Sequence, residues 1–138
     1  MIQKINHVGI AVKDLEKALV FFKNTFGAKV VSKEAYEDHE FVTVLIAIGE
    51  AHFEILASSK PGSMIDKYIK TRKEGIHHVS LQVDNFDRTI RDFKKKGLKV
   101  IGEIKTAEFK AAEFKAAFIH PADNFGILME IIELKDKL

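Results

Sequence analysis

Two histidines and two glutamates carry the chemistry that this sequence is equipped for. His7 and His78 open the related hexapeptides HVGIAV and HVSLQV, and Glu54 and Glu130 sit inside HFEIL and LMEII. In an extended chain successive side chains point to opposite faces. Val8, Ile10 and Val12 therefore share one face, and His7 looks out from the other. Val79, Leu81 and Val83 stand in the same relation to His78. By the same parity Glu54 points away from Phe53 and Ile55, and Glu130 away from Met129 and Ile131. Two neutral imidazoles and two carboxylates balance the charge of a divalent cation and leave coordination positions for water or an oxygen substrate. Such a site suits Co, Zn, Ni, Mn or Fe(II), and a cation there acts as a Lewis acid. Taken singly, a strand histidine is ordinarily a hydrogen-bonded structural residue, and a glutamate between apolar neighbours ordinarily faces solvent. The recurrence of both types in both halves favours the metal reading. Without a cation, two carboxylates on an inner face would be costly charges.

The elements that must position these residues form an internal repeat. Aligning His7 with His78 pairs Val8 with Val79, Ile10 with Leu81, Val12 with Val83, Leu15 with Phe86, Leu19 with Ile90 and Phe22 with Phe93. One residue of slippage brings Gly27 onto Gly97. Similarity at this period predicts two copies of one supersecondary unit. Each copy opens with an alternating strand and continues into a helix capped by Asp14 or Asn85. Gly27 and Gly97 stand where those helices stop. The period then returns to two, through AKVVSKEA, EFVTVLIAIG and AHFEILA in the first copy. LKVIGEI, FKAAFIH and GILMEIIEL follow in the second. The fold class is therefore α+β, with two tandem βαβββ modules forming a curved, cup-like sheet and helices on one side. The first module spans 1–57 and the second 75–138. A connector at 58–74 holds a short helix that Ser63 caps.

Bulk properties narrow the function. The chain has 138 residues, 46% of them hydrophobic and 30% charged, with a net charge of +2. That composition predicts a globular domain, and the scattered lysines give no footprint for nucleic acid. No apolar run approaches the ~20 residues of a membrane span, and no secretory leader is visible at MIQKINHVGIAV. There is no cysteine, which excludes disulfides, thiolate zinc sites and cysteine nucleophiles and agrees with a cytoplasmic location. No P-loop, G-x-S-x-G elbow or GxGxxG is present.

Other polar residues have simpler expectations. His77 points opposite to His78 and fits a structural place under a helix. His120 before Pro121 fits a hydrogen bond within a turn, and His39 among Glu37, Asp38 and Glu40 fits a solvated surface. His52 shares a face with Glu54 but suits a strand end. Ser80 and Gln82 share the His78 face and could touch a substrate. Lys60, Lys67 and Lys70 are conceivable phosphate contacts, with nothing to single one out.

INHVGIAVKDLEKALVFF, SMIDKYIKTRKEGIHHVSLQVDN and FIHPADNFGILMEI together resemble the glyoxalase/vicinal-oxygen-chelate superfamily, and most of all its methylmalonyl-CoA epimerases. The resemblance covers nearly the whole chain. It implies paired βαβββ modules around one divalent metal held by His7, Glu54, His78 and Glu130; Glu130, doubling as ligand and catalytic base, is the best single candidate for the proton carrier. It also implies a thioester substrate and a homodimer. In epimerases a proton leaves C2 of an acyl-CoA and returns on the other face. The related lactoylglutathione lyases move a proton within a glutathione adduct, which makes that activity the alternative. A metal-free small-molecule binding protein of the same fold is a second alternative, against which the retention of all four ligand residues argues. Two departures stand out. Thr43 occupies a position where some epimerases carry a second glutamate. The segment TAEFKAAEFKAAF is glycine-free and helix-favouring where epimerases have a glycine-rich loop.

Overall fold

The computed structural model of the chain describes residues 1–109 and 112–135. Strands β1 (Ile2–Ala11), β2 (Lys29–Tyr36), β3 (Phe41–Ile48) and β4 (Ala51–Ser58) accompany helix α1 (Leu15–Phe26). After helix α2 (Met64–Arg72) come β5 (Gly75–Val83), α3 (Phe86–Lys95), β6 (Val100–Phe109), β7 (Ala112–Ile119) and β8 (Met129–Leu134). In the first half of the chain the strand order is β2-β3-β4-β1, and in the second half it is β5-β8-β7-β6. The α+β class is as expected. The chain divides into a central unit, His7–His77, and a terminal unit made of Met1–Asn6 with His78–Leu138. No helix among the described residues is long and apolar enough to cross a membrane.

In the central unit Asp14 caps α1 by accepting from the Lys17 amide at 3.0 Å. The helix ends at Gly27, whose φ of 68° a residue with a side chain adopts only at a cost. Leu15, Ala18, Leu19 and Phe22 recur at helical spacing and pack on Ile10, Val12, Val44, Ile46 and Ile55. This is the aliphatic face that alternation assigned to the helix side, so His7 looks away from α1.

Helix α2 departs from the one-sided arrangement. Ser63 caps it, accepting from the Asp66 amide at 3.1 Å. Its buried Ile65 and Ile69 pack on Ala11 and Leu56. Those two residues share the strand face of His7 and Glu54, opposite to Ile10 and Ile55. The apolar stripe of the connector helix has to be buried, and the apolar far ends of β1 and β4 are where it is buried. The polar part of that face is thereby confined to the stretch around His7 and Glu54.

The terminal unit repeats the plan with α3, which Asn85 caps through the Arg88 amide at 3.0 Å. Phe86 and Ile90 join Val83, Ala117, Ile119 and Ile131 in its core. Burying a side chain such as Phe86 contributes about 2–3 kcal/mol.

The described residues of the doubled AEFKA segment are not helical. They lie in β6 and β7, with Ala107 opposite Phe114, Glu108 opposite Glu113 and Phe109 opposite Ala112. Lys110 and Ala111 fall outside the described residues. Pairing of Phe114, Lys115 and Ala116 with Leu134, Glu133 and Ile132 of β8 ties the segment into the ladder. Tertiary hydrogen bonding of that kind overrides a helix propensity of a few tenths of a kcal/mol per residue.

Candidate metal and proton-transfer site

Register sets the two glutamates. In the central unit β1 and β4 run parallel, and Gly9 lies beside Glu54. In the terminal unit β5 and β8 run parallel, and Ser80 lies beside Glu130. The two positions are equivalent in the repeat, yet one neighbour is a glycine and the other a serine. With no side chain at Gly9, Glu54 meets the histidine two residues earlier, and its Oε2 lies 3.6 Å from His7 Nε2. Glu130 instead accepts a hydrogen bond from Ser80 Oγ at 2.7 Å, and Ser80 is fully buried. A duplicated pair of carboxylates is thus held in two different ways.

Burial shifts the ionisation of both kinds of group. His7 is only 5% exposed. Loss of solvent, with a smaller contribution from the nearby His52, brings its pKa down to about 4. The His7 ring is consequently neutral at neutral pH, and its approach to Glu54 is an imidazole facing a carboxylate, not an ion pair. That is the protonation state a metal ligand needs. Glu130 keeps part of its surface open, but its carboxyl is enclosed by protein. Desolvation pushes its pKa up to about 7, with the Ser80 hydrogen bond pulling the other way.

Within the central unit His7 and Glu54 each offer one ligand atom, and within the terminal unit His78 and Glu130 stand at the equivalent places of the repeat. His78 is 4% exposed and stands edge-on to Phe118, with ring centroids 6.0 Å apart. The central unit's pair, a buried neutral imidazole beside a half-buried carboxylate, is a donor chemistry that fits a divalent cation.

The remaining histidines sort by environment. His77 packs edge-on against Tyr68 of α2 at 4.6 Å, the structural place that its parity suggested. His120 accepts from the Ala122 amide through Nδ1 at 3.1 Å, and His39 is exposed. His52 contributes electrostatically to His7, closer to the chemistry than a strand-end position implies. Thr43 is buried and, opposite Leu56, lies on the face of Glu54. Lys60 and Lys70 pair with Glu40 and Asp66. Ser80 was legible as a residue of the His78 face. Its bond to Glu130 follows from the parallel register of β5 and β8, which no local pattern prints.

The shifts predict the pH dependence of the metal-free protein. Glu130 has a folded pKa near 7 against 4.5 for its ordinary value. Its folded form holds the proton longer, so stability from this group is complete below the ordinary value and is lost as pH rises through 7. His7 has a folded pKa near 4 against 6.5, so its contribution is complete above 6.5 and is lost as pH falls through 4. Between about pH 4.5 and 6.5 the two slopes oppose each other. His77, whose pKa burial also lowers, adds to the His7 slope, and Glu130 offsets part of the sum. Urea denaturation of the metal-free Glu130→Gln variant should therefore rise with pH more steeply than that of the wild type, by up to about 1.4 kcal/mol per pH unit. Equal slopes in the two proteins would show that Glu130 is not shifted.

Comparison with known proteins agrees with the geometry. Residues 6–118 match the family model described as the Glyoxalase/Bleomycin resistance protein/Dioxygenase superfamily. The mitochondrial methylmalonyl-CoA epimerase of Bos taurus is 35% identical over 129 residues, 93% of this chain and 73% of that protein. The ethylmalonyl-CoA/methylmalonyl-CoA epimerase of Cereibacter sphaeroides is 33% identical over 95% of this chain and 98% of its own. Among solved structures, methylmalonyl-CoA epimerase from Mycobacterium tuberculosis superposes with a TM-score of 0.84 at 28% identity, covering 96% of this chain and 88% of that one.

Proposed function

The chain belongs to the glyoxalase/bleomycin resistance protein/dioxygenase superfamily, and from that membership we propose that it is a metal-dependent epimerase of 2-carboxyacyl-CoA thioesters, with methylmalonyl-CoA as the reference substrate. The observation that carries the proposal is identity of 33–35% to epimerases over more than nine-tenths of the chain. The differing restraint of Glu54 and Glu130 supports it. We assign His7, Glu54 and His78 to a divalent cation, one of Co, Zn, Ni, Mn or Fe(II), and include Glu130 as its fourth ligand. A cation held there supplies a fixed positive charge for the negative charge that develops when C2 loses its proton.

Glu130 is the base. In the metal-free protein burial raises the pKa of this carboxyl to about 7, and a carboxylate whose surroundings favour the protonated form is suited to take a proton from C2. The Ser80 hydroxyl holds the Oε1 end of that carboxyl, which limits its rotation and presents the other oxygen. Inversion requires a proton on the opposite face of the planar enolate. On the Glu54 side Thr43 offers a hydroxyl, which relays a proton from solvent and does not store one. By likeness to the family we expect a homodimer.

The test is incubation with methylmalonyl-CoA in deuterated water, with each candidate metal in turn. Exchange at C2 with inversion is the expected result. Absence of exchange with every metal would remove the epimerase reading, and thioester formation from methylglyoxal and glutathione would replace it with the lyase.

A further inference from the structure

Phe125 has no packing role among the described residues, and it is held where it is at a cost. It is 100% exposed and adopts a φ of 54°, the left-handed region that bulky residues avoid. The loop fixes this conformation from both sides. The Gly126 amide donates to the Pro121 carbonyl at 2.8 Å, the Ile127 amide to the Asn124 carbonyl at 3.0 Å, and Asn124 Nδ2 to the Ile127 carbonyl at 3.2 Å. Farther back, Asp123 anchors the turn by accepting from the Lys99 amide at 2.7 Å. The loop then feeds directly into β8. The Leu128 carbonyl receives the Val79 amide at 3.1 Å, next to His78, and Glu130 follows two residues later. A rigid turn therefore presents a strained, fully solvated aromatic ring a few residues from the proposed base. Backbone strain retained at such a place points to a ligand contact.

We propose that Phe125 is a substrate-binding residue that packs against the pantetheine arm of the acyl-CoA. The inference rests on the epimerase reading above. The reacting carbon has to lie beside Glu130, whose carboxyl is enclosed by protein. A ring with its whole surface in solvent meets a different part of the substrate, the part that emerges from the site. Beyond the thioester sulfur of an acyl-CoA that part is the pantetheine arm, whose methylene and dimethyl groups suit an aromatic face.

The test compares wild type, Phe125→Gly and Phe125→Tyr in steady-state epimerisation with added metal. The substrates are methylmalonyl-CoA and the truncated methylmalonyl N-acetylcysteamine thioester. Glycine relieves the left-handed strain, so Phe125→Gly should melt no lower than wild type. Its KM for the CoA ester should rise roughly tenfold, the effect of losing about one buried half-ring, with kcat within about twofold of wild type. Phe125→Tyr should keep the wild-type KM, and the penalty should vanish with the truncated thioester. An unchanged KM in an active Phe125→Gly variant overturns the contact and leaves the epimerase reading intact. An equal penalty on both thioesters overturns the assignment to the arm. A wild type inert toward methylmalonyl-CoA with every metal overturns the epimerase reading, and this inference falls with it.

Discussion

Glu130→Gln slows C2 exchange of methylmalonyl-CoA by about 10²–10⁴-fold, the usual range for removing a positioned acid–base group. The variant keeps its fold, because the amide oxygen still accepts from Ser80 Oγ, which stands 2.7 Å from the carboxylate in the wild type. Its metal-free form becomes more stable above neutrality, since a neutral amide replaces a carboxyl that burial makes reluctant to ionise. Loss of activity without loss of structure or of bound metal is the diagnostic combination, because Glu130 is also a proposed ligand. Deuterium incorporation followed by mass spectrometry, beside a urea denaturation curve and elemental analysis, reads all three quantities. Exchange within about tenfold of the wild type, below the range for a catalytic base, would move that role to another residue.

His78→Ala, set against His77→Ala, is the second large effect. The two residues are adjacent on β5 and point to opposite faces. His78, 4% exposed, is a proposed metal ligand, whereas His77 packs on Tyr68 at 4.6 Å. Losing one direct ligand should weaken metal binding by more than the ~10–100-fold that outer-sphere changes produce. Elemental analysis of purified protein should find metal in the wild type and in His77→Ala, and almost none in His78→Ala. Exchange activity should follow the metal. His77→Ala should show only a lowered unfolding midpoint, from the lost contact with α2. Equal metal loss in both variants would mean that the two faces of β5 have been misassigned.

The strand faces, the helix caps at Asp14, Ser63 and Asn85, and the pairing of His7 with His78 were all legible in the chain itself. Each is written in local spacing: alternation by twos, recurrence by threes and fours, and a capping side chain three residues before the amide it accepts from. Repetition made that local signal stronger, since the strand–helix–strands pattern on either side of the connector was written twice. Family likeness carried the same residues to a metal and a thioester.

The differences between the two copies were decided by tertiary structure. Gly9 beside Glu54 and Ser80 beside Glu130 depend on parallel pairing between strands some fifty positions apart, and hydrogen bonds at that separation leave no periodic trace. Burial that brings His7 down to about 4 and Glu130 up to about 7 arises from surroundings assembled by many elements. The far end of the His7 and Glu54 face is covered by α2, whose amphipathic stripe is visible in sequence while its docking partner is not. The doubled AEFKA segment shows the same limit in reverse, because its residues favour a helix and the ladder draws those described into β6 and β7. Periodicity fixes which way a side chain points along its own strand. Its neighbours, and therefore its charge, follow only once distant strands have found their register.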